Sequence, residues 1–127
     1  MNLTRSTEIY IRDILAFMER AEEHINGIEF NDFINDSKTC DAVIRCLEVI
    51  GEASKNIPEE TRKKFPQARW REMAGMRDKI IHSYFTIDYE NVWLVVKEEI
   101  PKLKPLISGI LSELKADDQR PGPSKHP

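Results

Sequence analysis

Residues 37–57 read SKTCDAVIRCLEVIGEASKNI, and the spacing within them decides the fold. Cys40, Val43, Leu47, Ile50, Ser54 and Ile57 recur at steps of three and four, while Asp41, Arg45, Glu48 and Glu52 fall on the opposite side. That is the pattern of a helix with one face toward a core. Asp36 or Ser37 is suited to cap its start. Upstream, Ile11, Ile14, Met18, Ala21, Ile25 and Ile28 keep the same spacing and predict a long first helix, with Asn31 to Asp36 as the turn between the two. Downstream, Pro58 suits the first turn of a short helix through Lys64, and Trp70, Met73, Met76, Ile80 and Tyr84 form the apolar stripe of a further one. Asp88 is a good N-cap for the last long element, in which Trp93, Val96, Ile100, Leu103, Ile107, Ile110 and Leu114 step without losing phase. Pro101 and Pro105 are therefore expected to kink this helix, not to end the bundle. No segment alternates with period two. The expectation is an all-α, up-and-down bundle of four main helices with short additional helices over residues 1–115. Residues 116–127, which read ADDQRPGPSKHP, cannot build a core and are expected to form a disordered tail.

The 127 residues, 40% of them hydrophobic, suffice for one ordinary domain that folds without disulfides or a structural metal. Cys40 and Cys46 lie six apart in one helix and point in different directions, so they read as reduced, partly buried thiols of a cytoplasmic protein. No stretch approaches the roughly 20 apolar residues of a membrane helix, and the N-terminus lacks an apolar run of signal type. A soluble protein that is not exported is expected. The net charge of -3 argues against a general polyanion binder, yet the charge is uneven. Residues 1–60 carry 6 basic and 13 acidic side chains, residues 61–81 carry 7 and 2, and residues 82–127 carry 6 and 7. The middle window holds Arg62, Lys63, Lys64, Arg69, Arg71, Arg77 and Lys79, enough for a local phosphate site though not for a long nucleic-acid groove.

The sequence has no Gly-rich phosphate loop with Lys-Ser/Thr, no His-Glu-x-x-His and no Cys-x-x-Cys, which makes a metal enzyme a poor reading. His24 lies beside the first apolar stripe with no second histidine in helical reach and reads as a boundary or solvated residue. The chemistry concentrates in Arg77-Asp78-Lys79-Ile80-Ile81-His82-Ser83-Tyr84-Phe85. In a continuous helix Arg77 would share the core-facing side, where a guanidinium must be paired or hold an anion. Asp78 and His82, four apart, would share the other side, and the carboxylate could hold one imidazole nitrogen. Arg77 and His82, however, are five apart, about 140° around a regular helix. One helix cannot aim both at one atom: either it unwinds before His82, or the arginine of one subunit meets the histidine of another. The plain alternative is a salt-bridged arginine, a helix-terminal histidine and a core tyrosine.

Three blocks carry a resemblance: DAVIRCLEVIGEA from Asp41 to Ala53, WREMAGMRD from Trp70 to Asp78, and IHSYF from Ile81 to Phe85 followed by Val92-Trp93. In order and spacing they resemble the HEPN superfamily, and within it the HepT-type toxins, over residues 3 to about 114. The resemblance implies a metal-independent endoribonuclease without a cofactor. It would be the toxin half of a toxin–antitoxin module whose antitoxin is a minimal nucleotidyltransferase. The family signature is Arg, four to six residues, then His, which Arg77 and His82 match at four, with Tyr84 in the place of the subgroup's tyrosine. By resemblance the active cleft lies between two protomers of a homodimer, His82 moves a proton, Arg77 stabilises the phosphate charge, Asp78 orients the imidazole and Lys79 adds a phosphate contact. Tyr84 would receive AMP from the antitoxin and so silence the toxin, against the plain reading of a core tyrosine. Glu48 and Glu52, opposite the core stripe, are either a solvated row or an interface row, with Arg45 able to pair across a dimer. The competing readings are a non-catalytic HEPN subunit that binds nucleotide or the transferase, and a structural helical adaptor.

Overall fold

The computed structural model describes residues 3–82 and 86–119. Its order is α1 (Leu3–Ile25), α2 (Phe30–Ile34), α3 (Ser37–Lys55), α4 (Glu59–Lys64), a 3-10 turn (Pro66–Ala68), α5 (Trp70–Ala74) and α6 (Met76–Ile80). Then come β1 (Ile81–His82), β2 (Thr86–Ile87), α7 (Tyr89–Leu94), a π-helical turn (Val95–Glu99) and α8 (Ile100–Gln119). The all-α bundle expected from periodicity is present, built on α1, α3, the α5–α6 pair and the continuous α7–α8 helix.

Each stripe read from the sequence is buried. Ile11, Ile14 and Met18 of α1, Val43, Leu47 and Ile50 of α3, Met73, Met76 and Ile80 of α5 and α6, and Val96, Ile100, Ile107 and Ile110 of the last helix are all closed to solvent in one core. The caps also fall where the side chains predict. Asp36 accepts from the Thr39 N–H at 3.2 Å and the Thr39 hydroxyl at 2.8 Å. These bonds hold its carboxyl below the ordinary value of 3.8. Asp88 accepts from the Asn91 N–H at 3.0 Å to start α7. Gly27, at φ 80°, supplies the left-handed residue just past the end of α1.

Three expectations need correction. Residues between the first two long helices do not form a plain turn: Phe30–Ile34 is a short helix whose Phe33 is buried against Trp93 at 5.3 Å between ring centroids. The stripe from Trp70 to Tyr84 is not one helix. It breaks at Gly75, resumes for five residues and ends at Ile80, after which Ile81 and His82 pair antiparallel with Ile87 and Thr86. A two-residue pairing is too short to give a period-two signal. The last helix runs to Gln119, past the expected limit at Lys115, and the remainder of the predicted tail lies outside the described residues.

The prolines act as expected in that the helix continues through both. Pro101 has no N–H for the Lys97 carbonyl and its ring crowds that oxygen. The chain answers with the wider π turn at Val95–Glu99, in which the Ile100 N–H donates to Val95 one residue further back than in an α-helix. Both cysteines are buried and unbridged, and burial pushes both thiols above their ordinary value. His24 is exposed. No helix among the described residues is long and apolar enough to cross a membrane.

Phe33 lies between Phe30 and Trp93 and ties α2 to the last helix. Phe33→Ala should therefore cost about 3–5 kcal/mol in urea unfolding, the range for a fully buried aromatic. A loss under about 1 kcal/mol would show that α2 is not part of the cooperative core.

Candidate active site

The segment that carries the arginine and histidine is shaped by a glycine break. The Gly75 N–H donates to the Arg71 and Met73 carbonyls and closes α5. The five residues of α6 then bury Met76 and Ile80. Successive residues of a helix are about 100° apart, so burying these two turns Arg77 to one flank and Lys79 to the other, with Asp78 outward. Arg77 is not core-facing, as an unbroken helix would have made it: its side chain is 63% exposed. Its Nε sits 3.3 Å from Oε2 of Glu48 on α3.

Gly51, one turn beyond Glu48, makes that approach close. A Cβ there would stand 3.5 Å from the Met73 and Ala74 carbonyls and 3.8 Å from the Met76 Cβ, so anything larger than a methyl would push α3 off the α5–α6 junction. Lys79 turns the other way, to Glu99 at 3.4 Å. The structure does not bring it to Arg77. Asp78 is exposed. The helix ends between Asp78 and His82, so the four-residue helical spacing that would have set them on one side does not apply.

His82 follows α6 in extended backbone, and two bonds fix where that strand leaves. The Asn91 side chain donates to the Lys79 carbonyl at 2.8 Å, and the Asp88 N–H donates to the Ile80 carbonyl at 2.7 Å. The helix therefore unwinds before the histidine, so the separation of about 140° in a regular helix does not hold between Arg77 and His82. The His82 side chain and Tyr84 lie outside the described residues.

The basic window is not one anion site. Arg62 caps α3 by donating to the Ile57 carbonyl at 2.9 Å and the Lys55 carbonyl at 3.0 Å. Lys63 pairs with Glu59 at 3.6 Å and Lys64 with Asp117 at 3.2 Å. What Arg77 faces instead is a cleft of about 410 Å³. Tyr10 and Asp13 of α1 line one wall, and Arg45, Glu48, Val49, Glu52, Ala53 and Asn56 of α3 the other. Glu48 and Glu52 both face this cleft; Glu48 pairs with Arg77, while Glu52 is exposed. The sequence reading missed Tyr10 and Asp13. Their one signal is a three-residue spacing on the flank of α1 next to the Ile11–Ile14 stripe. Among the described residues no group of three or more His, Cys, Asp or Glu side chains is gathered as a metal site.

With this geometry in place, comparison with known proteins adds a family. A family model described as ribonuclease HepT-like matches residues 14–110. A protein of Thermococcus cleftensis named "Probable ribonuclease HepT" is 52% identical over 102 residues, 80% of this chain and 93% of that one. A "Putative RNase" of Methanocaldococcus jannaschii is 42% identical over 115 residues, 91% of this chain and 95% of that one. Another protein so named, from Caldanaerobacter subterraneus, is 43% identical over 106 residues, 84% of this chain and 95% of that one. No solved structure matches the chain.

The Glu48–Arg77 pair is 34% and 63% exposed at its two side chains, a setting in which ion pairs contribute little to folding. Arg77→Ala should change the urea unfolding free energy by less than about 1 kcal/mol and leave the far-UV CD spectrum helical. A loss above about 2 kcal/mol would make Arg77 a structural residue.

Proposed function

Because the chain belongs to the HepT-like ribonuclease family, we propose that it is a metal-independent endoribonuclease of the cytoplasm, the toxin of a toxin–antitoxin pair. The observation that carries this reading is the placement of Arg77. Glu48 engages the guanidinium at Nε, and its Nη groups remain for an anion at the mouth of the cleft. An arginine held by a carboxylate on one edge and open on the other is oriented before a phosphate arrives. His82 follows on the strand that leaves the same five-residue helix.

RNA supplies its own nucleophile. The 2′-oxygen attacks phosphorus, the bond from phosphorus to the 5′-oxygen breaks, and the products are a 2′,3′-cyclic phosphate and a 5′-hydroxyl. One proton leaves the 2′-hydroxyl and one must reach the departing 5′-oxygen. His82 serves as base or acid, the role for which imidazole is the common choice. Arg77 neutralises the charge that builds on the non-bridging oxygens. A single histidine cannot readily fill both proton roles in one turnover, so a homodimer with His82 of each protomer at one cleft completes the chemistry. Asp78 and Lys79 keep supporting roles in this reading, with Asp78 free to turn toward His82 and Lys79 reaching RNA only by leaving Glu99.

RNA should be cut in the presence of EDTA, and both His82→Ala and Arg77→Ala should reduce the rate at least about a hundredfold while the protein remains folded. Mixing the two inactive variants should restore part of the activity if each cleft draws residues from two chains, and sedimentation should give a dimer. Loss of cleavage in EDTA, or a fully active His82→Ala protein, defeats the mechanism and favours a HEPN subunit that binds nucleotide or partner without cutting.

Tyr84 is the proposed site of silencing by a cognate minimal nucleotidyltransferase. The phenol oxygen displaces pyrophosphate from ATP and gains AMP, which adds a charge of about -1 two residues from His82 and can satisfy the Arg77 guanidinium in place of RNA. Co-expression with the transferase should add AMP mass to the Tyr84 peptide and end cleavage. Tyr84→Phe should keep most of the nuclease rate and escape modification. If the phenylalanine variant is silenced equally well, binding by the antitoxin replaces modification as the explanation.

A further inference from the structure

We infer that the cleft beside Arg77 is a nucleobase subsite that selects guanine next to the cleaved phosphate. The inference rests on the ribonuclease reading. It begins with charge: three carboxylates, Asp13, Glu48 and Glu52, face two guanidiniums, Arg45 and Arg77, so the lining is net negative by one. Such a lining repels a polyphosphate. It suits a neutral group that donates hydrogen bonds, attached to a single phosphate held by Arg77. The volume of about 410 Å³ lies in the range of small-ligand sites. Half-buried Tyr10 offers an aromatic face, with Val49 and Ala53 as apolar floor, which is how proteins hold a base taken from single-stranded RNA.

The polar groups then choose among the bases. Glu48 is occupied by Arg77, whereas among the described residues Asp13 has no hydrogen bond or ion pair and the Glu52 carboxylate only a 4.0 Å approach from exposed Lys55. A carboxylate accepts and cannot donate. Guanine alone presents two adjacent donors, N1–H and the 2-amino group, to both oxygens of one carboxylate. Adenine and cytosine set an acceptor nitrogen beside their amino group, and uracil flanks its single N–H with two carbonyls, all of which oppose a carboxylate. Arg45, also without an ion pair among the described residues, matches the O6 and N7 acceptors of the same base, the commonest specific arginine contact. Asp13 on the α1 wall supplies the acceptor and Arg45 on the α3 wall the donor, and guanine satisfies both.

The test is cleavage-site mapping on single-stranded RNA of random sequence, with titration by 3′-GMP and 3′-UMP followed by NMR in parallel. Wild-type protein should cut beside guanosine at least about tenfold more often than beside uridine, and Asp13→Asn should erase most of that ratio whatever it does to the overall rate, as one lost bidentate base contact would. Tyr10→Ala should weaken 3′-GMP binding. Cleavage without base preference, or a preference unchanged in both Asp13→Asn and Glu52→Gln, overturns the inference while the ribonuclease reading stands. A shift in sedimentation of Asp13→Asn with an unchanged ratio does the same and makes the cleft a contact between copies. If no RNA is cut, the ribonuclease reading fails, and the titration alone decides: tighter 3′-GMP binding keeps the subsite and equal binding removes it.

Discussion

Burial of Met76 and Ile80 against α3 fixes the rotation of a helix only five residues long, and the charged residues of the segment follow from that rotation. With those two side chains inward, Arg77 must fall on the α3 flank and Lys79 on the flank of the last helix, where Glu48 and Glu99 meet them. Gly75 permits the rotation by ending α5 one residue earlier, and Gly51 lets α3 come near enough for Glu48 to reach. A longer α6 in phase with Trp70 and Met73 would have turned Arg77 toward the core, where an unpaired guanidinium costs several kcal/mol. Breaking the helix avoids that cost and leaves the cation at the surface of a cleft.

The long elements were legible because each buries one continuous stripe, and three- and four-residue spacing survives without knowledge of the partners. Ile11 to Ile25, Cys40 to Ile57 and Trp93 to Leu114 needed nothing else. Even Pro101 and Pro105 did not hide the last helix, since phase is kept across the π turn. The error arose at residues 70–84, where Trp70, Met73, Met76 and Ile80 keep a helical spacing across two short helices. Apolar spacing reports which side chains are inside; it does not report a change of axis at Gly75. A helix end at Ile80 depends on Asn91 and Asp88, eleven and eight residues later, contacts that no local pattern encodes.

The site was legible in part. Arg77 and His82 stand out as residue types, and the proposed function rests on that pairing. Their surroundings were read less well. The basic count of residues 61–81 suggested an anion site, yet most of those cations are spent on helix ends and on ion pairs such as Lys64–Asp117. Glu48 looked like one of a row of surface acids, and only tertiary packing makes it the neighbour of Arg77. Charge along a sequence says little about charge in a site until the folded partners are subtracted.

The same break alters the argument for two subunits. Five residues of regular helix would hold Arg77 and His82 about 140° apart and force their convergence onto two chains. With the helix ended at Ile80 and the backbone extended at Ile81, spacing no longer requires a partner. What still favours one is proton transfer. Transesterification of RNA needs a proton removed at one oxygen and delivered at another on the opposite side of phosphorus, and the segment offers one imidazole per chain. A second His82 would meet that need without any other acid or base, and a cleft shared by two copies would also set two Arg77 guanidiniums about one phosphate, where the transition state carries its extra charge.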